Sequence, residues 1–151
     1  MLCCIHHFCI DSIQPDVNPF RDPRYGRGQE TGGEDAWVNG QVAIEYVRGL
    51  QGGSAADNRW LQATAACKHV PLYDSQTPAP QVHDYNVSIQ DMYDYYLKPW
   101  RACATVAHSS SMMCSYGSFD GKPDCAHGTC VRVPCHVFVR LFGSQPNQSK
   151  A

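Results

Sequence analysis

Charge of either sign is scarce in this chain. Asp, Glu, Lys and Arg make up 17% of 151 residues, and twelve basic against fourteen acidic side chains leave a formal net charge of −2. Neither sign clusters, which argues against a surface that binds nucleic acid through phosphate contacts. Long apolar runs are missing too. Nothing approaches the roughly 20 apolar residues needed to cross a bilayer, so a soluble protein without a membrane partner is expected. The opening segment, MLCCIHHFCIDS, lacks the positive n-region of a signal peptide, and two histidines interrupt its short apolar stretch.

Apolar residues and cysteine are plentiful. The hydrophobic set reaches 43%, too much for a disordered chain, and the length suits one domain with a real core. Nine cysteines are many for a cytosolic protein, and an odd number leaves one unpaired if the others all bond. Asn86-Val87-Ser88 and Asn147-Gln148-Ser149 fit glycosylation acceptors, which count only in a secreted context.

The chain divides into three zones. Residues 1–12 are rich in Cys and His without helical or strand period, residues 13–127 read as α/β protein, and residues 128–151 alternate briefly before a polar tail. In the middle zone the spacing predicts a helix over 36–50. Val38, Val42, Tyr46, Val47 and Leu50 form its stripe, Asp35 is its N-cap, and Gly52-Gly53 is its stop. The nearly uncharged run 61–67 (LQATAAC) predicts a buried strand. A second helix is expected from near Ser88, capped with the help of Asp91. It should bury Ile89, Met92, Tyr96, Trp100 and Cys103, and Pro99 should kink or divide it. Residues 111–115 (SMMCS) predict a further strand, and Asp120-Gly121 a turn. Strand-helix-strand-helix-strand order implies parallel pairing with crossover helices, as in a piece of a barrel or a doubly wound sheet.

Two stretches could carry chemistry. NPFRDPRYGRGQETGGED sets three arginines and four acidic residues among glycines and prolines. As a solvated loop it holds surface ion pairs of little worth. As a site, its glycines let the backbone crowd a ligand while a guanidinium grips polar oxygens. Lys68 and His69 follow the apolar strand, where barrels and doubly wound sheets place active-site residues. Tyr116 stands in the same relation to SMMCS.

In order, NPFRDPRYGRGQETGGED, EYVRGLQGG, ATAACKHV, SIQDMYDYYLKPWRAC and SMMCSYGSFDGKPDCA resemble glycoside hydrolase family 3, most closely its β-xylosidase and α-L-arabinofuranosidase branch. The resemblance covers about residues 14–127. It implies a partial (β/α)8 barrel, the N-terminal domain of a larger secreted enzyme whose C-terminal domain is missing here. The implied reaction is cofactor-free, metal-free hydrolysis, with retention, of a terminal β-linked xylose, or glucose or arabinose, from plant-type oligosaccharides. It also implies that Arg27, Lys68 and His69 hydrogen-bond the sugar in the −1 subsite, that Tyr116 lines the same pocket, and that Cys114 and Cys125 form a disulfide worth about 2–3 kcal/mol.

Several positions depart from the family pattern. Tyr25 stands where tryptophan is usual, Gly32 for proline and Gly117 for asparagine, and the segment between His69 and Val82 is shortened. Retaining cleavage needs two carboxyl groups about 5–5.5 Å apart. The resemblance places the nucleophilic aspartate a few tens of residues beyond CSY, but residues 137–151 contain no Asp or Glu. The acid/base glutamate belongs to the missing domain. No catalytic residue is therefore expected, and Glu30, Glu34 and Asp35 are expected to be structural. The chain is expected to be inactive alone, a piece of a gene product, and poorly soluble with its strand edges bare. Two alternatives are a sugar-binding pseudoenzyme and a zinc protein built on CCIHHFC and CAHGTCVRVPCH.

Overall fold

The computed structural model describes residues 11–12, 14–52, 61–74 and 84–127. Strand β1 (Asp11–Ser12) leads through the long polar loop into helix α1 (Ala36–Gln51), and strand β2 (Thr64–Val70) follows. After β3 (Asp84–Tyr85) the chain enters α2 (Ile89–Asp91), passes through a π-helical turn (Met92–Tyr96) and continues as α3 (Leu97–Thr105). Strands β4 (Ser111–Cys114), β5 (Ser118–Phe119) and β6 (Lys122–Pro123) complete the order. β2 pairs in parallel with both β1 and β4, giving the order β1-β2-β4, with α1 and α3 as the crossovers. This is the expected α/β alternation. Among the described residues the parallel sheet has three strands and does not close into a barrel.

β2 is displaced from its expected place. It starts at Thr64 and runs to Val70, so Lys68 and His69 lie inside the strand and not just beyond it. Burial explains the shift. Residues 67–70 are all buried, and the Lys68 backbone is bonded on its other side by the loop, with Lys68 N donating to the Pro15 carbonyl (3.0 Å) and Val17 N to the Lys68 carbonyl (2.8 Å). The hydrogen-bonding ladder therefore continues past the apolar run that a sequence pattern detects.

α1 begins and ends as its sequence dictates. The Asp35 carboxylate accepts from Val38 N at 2.8 Å, and Gly52 ends the helix in the left-handed region at φ 99°. Its buried face matches the expected stripe at Val47 and partly at Leu50, and departs from it elsewhere. Val38, Val42 and Tyr46 are exposed, while Ala43, Ile44 and Val47 face the core with Asn39 and Gln51. Small residues explain the rotation, because a Cβ on Gly40 would stand 3.2 Å from Ala102 Cβ of α3, so the two helices meet through their smallest side chains. The inward amides are bonded. Asn39 Nδ2 donates to the Val17 carbonyl (3.0 Å) and Gln51 Nε2 to the His108 carbonyl (3.1 Å).

The second helix is capped at Ser88, whose hydroxyl accepts from Asp91 N at 3.0 Å. Met92, Tyr96, Trp100 and Cys103 are buried as expected, but Ile89 in the first turn is 58% exposed. Pro99 lacks an N–H and crowds the carbonyl four residues before it, and the helix widens into its π-helical turn just upstream. Asp120 and Gly121 form the two-residue turn of the β5–β6 hairpin, both at positive φ (52° and 70°), the type I′ geometry that suits Asp-Gly.

Two disulfides cross-link the fold. Cys114 is joined to Cys125 around the β5–β6 hairpin, with Cα atoms 5.5 Å apart. Cys67 in β2 is joined to Cys103 in α3, both fully buried, a link the sequence reading did not make. Closing loops with separations of 36 and 11 residues stabilises by about 4 and 3 kcal/mol respectively in the loop-entropy picture. Peptide mapping without reduction should recover both links. Cys103→Ala should lower unfolding free energy more than Cys125→Ala, and free thiols at all four positions would contradict the assignment.

Candidate functional site

The polar loop folds back on the carboxyl end of β2 because specific contacts require it. Phe20 N donates to the Gly33 carbonyl at 2.9 Å, and Gly28 opens a short 3-10 turn (Gly28–Glu30) against the Phe20 ring. A Cβ on Gly28 would lie 2.5 Å from that ring, so only glycine fits. The turn sets Arg27 and Glu30 facing β2.

Three of the four residues proposed from the sequence come together here. Lys68 Nζ donates to Glu30 Oε2 at 2.7 Å, and Arg27 Nη1 lies 3.4 Å from His69 Nε2. Arg27 Nε stands 3.8 Å from Glu30 Oε1, so one carboxylate faces both cations. Lys68 and His69 are 6% and 3% exposed, and solvent reaches the cluster through the half-exposed Arg27 and Glu30. The Lys68–His69 peptide is cis.

Tyr116 is placed differently. It follows β4 at the same end of the sheet, where Ser115 N donates to the Val70 carbonyl (2.8 Å), but its side chain is 66% exposed. The aromatic wall beside His69 is Tyr73, with ring centroids 4.6 Å apart, and Tyr73 in turn meets Tyr25 edge-on at 6.2 Å. Sequence reasoning missed Tyr73, which sits in a stretch without helical or strand period.

It missed two further residues. Asn18, fully buried, accepts from His69 N (2.7 Å) with Oδ1 and donates to the His69 carbonyl (2.8 Å) with Nδ2. Asp16, 1% exposed, accepts from Tyr25 Oη (2.8 Å) and from Asn18 N (3.0 Å). The only available signal was a short polar alternation ahead of Pro19, which cannot tell a buried amide from a turn residue.

Electrostatics follow from burial. Desolvation pushes the Asp16 carboxyl up to about 6, against the pull of the Asn18 and Tyr25 hydrogen bonds. Desolvation, reinforced by the Lys68 and Arg27 charges, pushes His69 down to about 4. Asp16 Oδ2 lies 3.6 Å from His69 Nδ1, yet the two do not form an ion pair. Histidine is neutral above about 4, and the aspartate becomes charged only above about 6. Glu30 is held below its ordinary range, chiefly by the Lys68 hydrogen bond.

Open grooves run past Arg21, Trp37 and Tyr95, and past Arg24 and Asp74, away from this cluster. Among the described residues no group of three metal-ligating side chains occurs, and none of the helices is long and apolar enough to cross a membrane. CCIHHFC, and the part of CAHGTCVRVPCH after His127, lie outside the described residues.

The geometry is that of a polar, partly enclosed site with two cationic donors, an imidazole, a carboxylate and an aromatic wall, suited to a neutral hydroxylated ligand. No protein-family model matches the chain. Curated relatives do. Beta-D-xylosidase 1 of Arabidopsis thaliana is 47% identical over 132 residues, 85% of this chain and 17% of that protein. An exo-1,4-beta-xylosidase of Emericella nidulans is 42% identical over 123 residues, 80% of this chain and 16% of that protein. Among solved structures, a GH3 exo-beta-xylosidase in complex with a xylobiose aziridine activity-based probe superposes with a TM-score of 0.75 at 35% identity, covering 80% of this chain and 16% of that one. A beta-glucosidase from Listeria innocua superposes with a TM-score of 0.73 at 26% identity, covering 86% and 18%. The chain thus spans about a sixth of the length of the curated relatives it matches.

The Asp16 carboxyl gives a measurable sign. Its folded pKa of about 6 lies above the ordinary 3.8, so its contribution to stability is complete below 3.8 and is lost as pH rises through 6. Asp16→Asn can keep the contacts, its Oδ1 accepting from Asn18 N while Nδ2 donates to a rotated Tyr25 hydroxyl. Urea unfolding of the wild type should therefore lose on the order of 2–3 kcal/mol more than Asp16→Asn between pH 3.8 and 7.5. Parallel pH profiles would show that Asp16 is not held protonated by the fold.

Proposed function

The chain belongs to glycoside hydrolase family 3, in its β-xylosidase branch, and from that premise we propose that residues 13–127 carry part of the −1 sugar subsite of a retaining O-glycosyl hydrolase. The observation that carries this reading is the convergence of Arg27, Lys68 and His69 at the carboxyl end of β2, with Arg27 Nη1 3.4 Å from His69 Nε2 and Lys68 paired to Glu30. Arg27 and Lys68 offer donors to ring hydroxyls of a terminal xylose, and buried Tyr73 supports the His69 ring from behind. Tyr116, exposed after the neighbouring strand at the same end of the sheet, is the fourth residue of this reading.

These residues bind and orient; they do not cleave. Of the two carboxyl groups closest to the subsite, Asp16 is enclosed and already accepts two hydrogen bonds, and Glu30 is committed to Lys68. Neither is free to attack an anomeric carbon or to protonate a glycosidic oxygen. Nucleophile and acid/base belong to other parts of a whole family 3 enzyme, which releases a terminal β-linked xylose from oligosaccharides. Xylose is favoured over glucose on the identity of the relatives alone. Two disulfides suit a secreted setting.

The 151-residue chain should show no hydrolysis of an aryl β-xyloside and no covalent adduct with a 2-fluoroxyloside by intact mass. Xylose titration should shift the His69 ring and Arg27 guanidinium signals with an affinity on the order of millimolar or weaker, and Arg27→Ala should abolish the shift. An adduct on any Asp or Glu would overturn the non-catalytic role. Unshifted His69 and Arg27 signals at saturating sugar would overturn the subsite.

A further inference from the structure

We propose that Asn18 is a positioning residue that locks His69 as its Nδ1–H tautomer, so that the unprotonated Nε2 of His69 accepts from Arg27 and holds that guanidinium in place at the site. Two independent sets of contacts lead to the same tautomer. The first is the orientation of the Asn18 amide. Asn18 Oδ1 accepts from the His69 backbone N–H at 2.7 Å, and Asn18 Nδ2 donates to the His69 backbone carbonyl at 2.8 Å. A peptide N–H only donates and a peptide C=O only accepts, so these partners forbid the flipped amide. The atom facing His69 Nδ1 at 3.2 Å is therefore Oδ1, an acceptor, and Nδ1 carries the hydrogen.

The second is Arg27. Its guanidinium has donors and no acceptor, and its Nη1 lies 3.4 Å from His69 Nε2. That contact is attractive only if Nε2 holds a lone pair. Asp16 Oδ2, 3.6 Å from Nδ1, adds a further acceptor on the protonated side. The groups facing the ring are thus Asn18 and Asp16 on one side and Arg27 on the other, with the Tyr73 ring packed against it and Lys68 and Glu30 beyond. Burial and the two cations hold the imidazole neutral.

The consequence for recognition rests on the sugar-subsite reading. Arg27 and Lys68 are donors, and Glu30 is taken by Lys68. The lone pair at Nε2 is what orients Arg27, whose remaining N–H groups stay available to ligand oxygens.

Long-range proton–nitrogen NMR on the uniformly 15N-labelled 151-residue chain reads the tautomer directly, with the His69 signals assigned by their loss in His69→Gln. At pH 7 without ligand, Nδ1 should show a pyrrole-type shift and Nε2 a pyridine-type shift, with at least a tenfold excess of one tautomer. Asn18→Leu should reduce that excess several-fold. Asn18→Asp should keep the tautomer and raise the His69 pKa by at least one unit, a change that loss of packing would not produce. A protonated Nε2, an imidazolium at pH 7, or an unchanged tautomer ratio in folded Asn18→Leu would overturn the proposal. If Asn18→Leu does not fold, the wild-type spectrum decides alone. The measurement needs no sugar, so an absent xylose response with the expected tautomer would sink only the subsite reading, and the reverse result would sink only this one.

Discussion

An ammonium group taken out of water is expensive to hold, and Lys68 lies 6% exposed in the central strand of the parallel sheet. The effective penalty is several kcal/mol unless a counter-charge and further hydrogen bonds compensate. The counter-charge is Glu30, 2.7 Å away, and it can reach only because the polar loop turns back over the end of β2. Everything in that loop follows from the return. Gly28 lets the turn pack on Phe20, the Phe20–Gly33 bond closes its neck, and Arg27 arrives beside His69 as the neighbour of Glu30. What composition alone reads as a solvated run of charges is one side of a partly buried ion pair.

The same strand is held from behind. Cys67 precedes Lys68 and is tied to Cys103 of α3, while α3 packs on α1 through Gly40 and Ala102. Side chains alternate along a strand, so Cys67 facing the helices leaves Lys68 to face the loop. The neighbouring strand β4 ends at Cys114, whose disulfide to Cys125 braces the hairpin beyond Tyr116. Lys68, His69 and Tyr116 thus each lie within two residues of a disulfide cysteine, and the precision a binding site needs comes from rigid elements supporting it, not from the loop alone.

Much of this arrangement was legible in the sequence, and the failures have physical causes. Asp35, Gly52, Ser88 and the Asp120-Gly121 turn act locally, within four residues, and the sequence places them correctly. The α1 stripe held at Val47 but failed at Val38, Val42 and Tyr46, because apolar spacing weighs side chains by size whereas close helix contact selects Gly40. The limits of β2 were misjudged because a charged residue normally ends an apolar strand, and only tertiary pairing with Glu30 lets Lys68 continue it. Arg27, Lys68 and His69 were found through resemblance and position at a strand end. Asn18 was not, because its role spans 51 residues and joins backbone atoms that no local pattern reports.

The buried titratable groups pull against one another, and the balance bears on where the site is sound. Asp16 and Asp124 both have carboxyls pushed up to about 6 by desolvation, so each favours the folded state most under acid conditions and loses that contribution as pH rises through 6. His69, pushed down to about 4, does the opposite; its contribution is complete above 6.5 and is lost as pH falls toward 4. Glu30 acts with His69, because its depressed pKa stabilises the fold once it is ionised. Between about pH 4 and 6 the imidazole is neutral and Asp16 carries its proton, while the Lys68 hydrogen bond favours the ionised form of Glu30. In that window the cluster holds one ion pair, a neutral acceptor at His69 Nε2 and no uncompensated buried charge. Above it Asp16 ionises within hydrogen-bonding range of Tyr25 and Asn18, which adds an anion behind His69 without changing what His69 presents. The Arg27 side of the cluster therefore keeps its pattern of donors and acceptors across the whole range in which His69 stays neutral, while the buried side absorbs the change in charge.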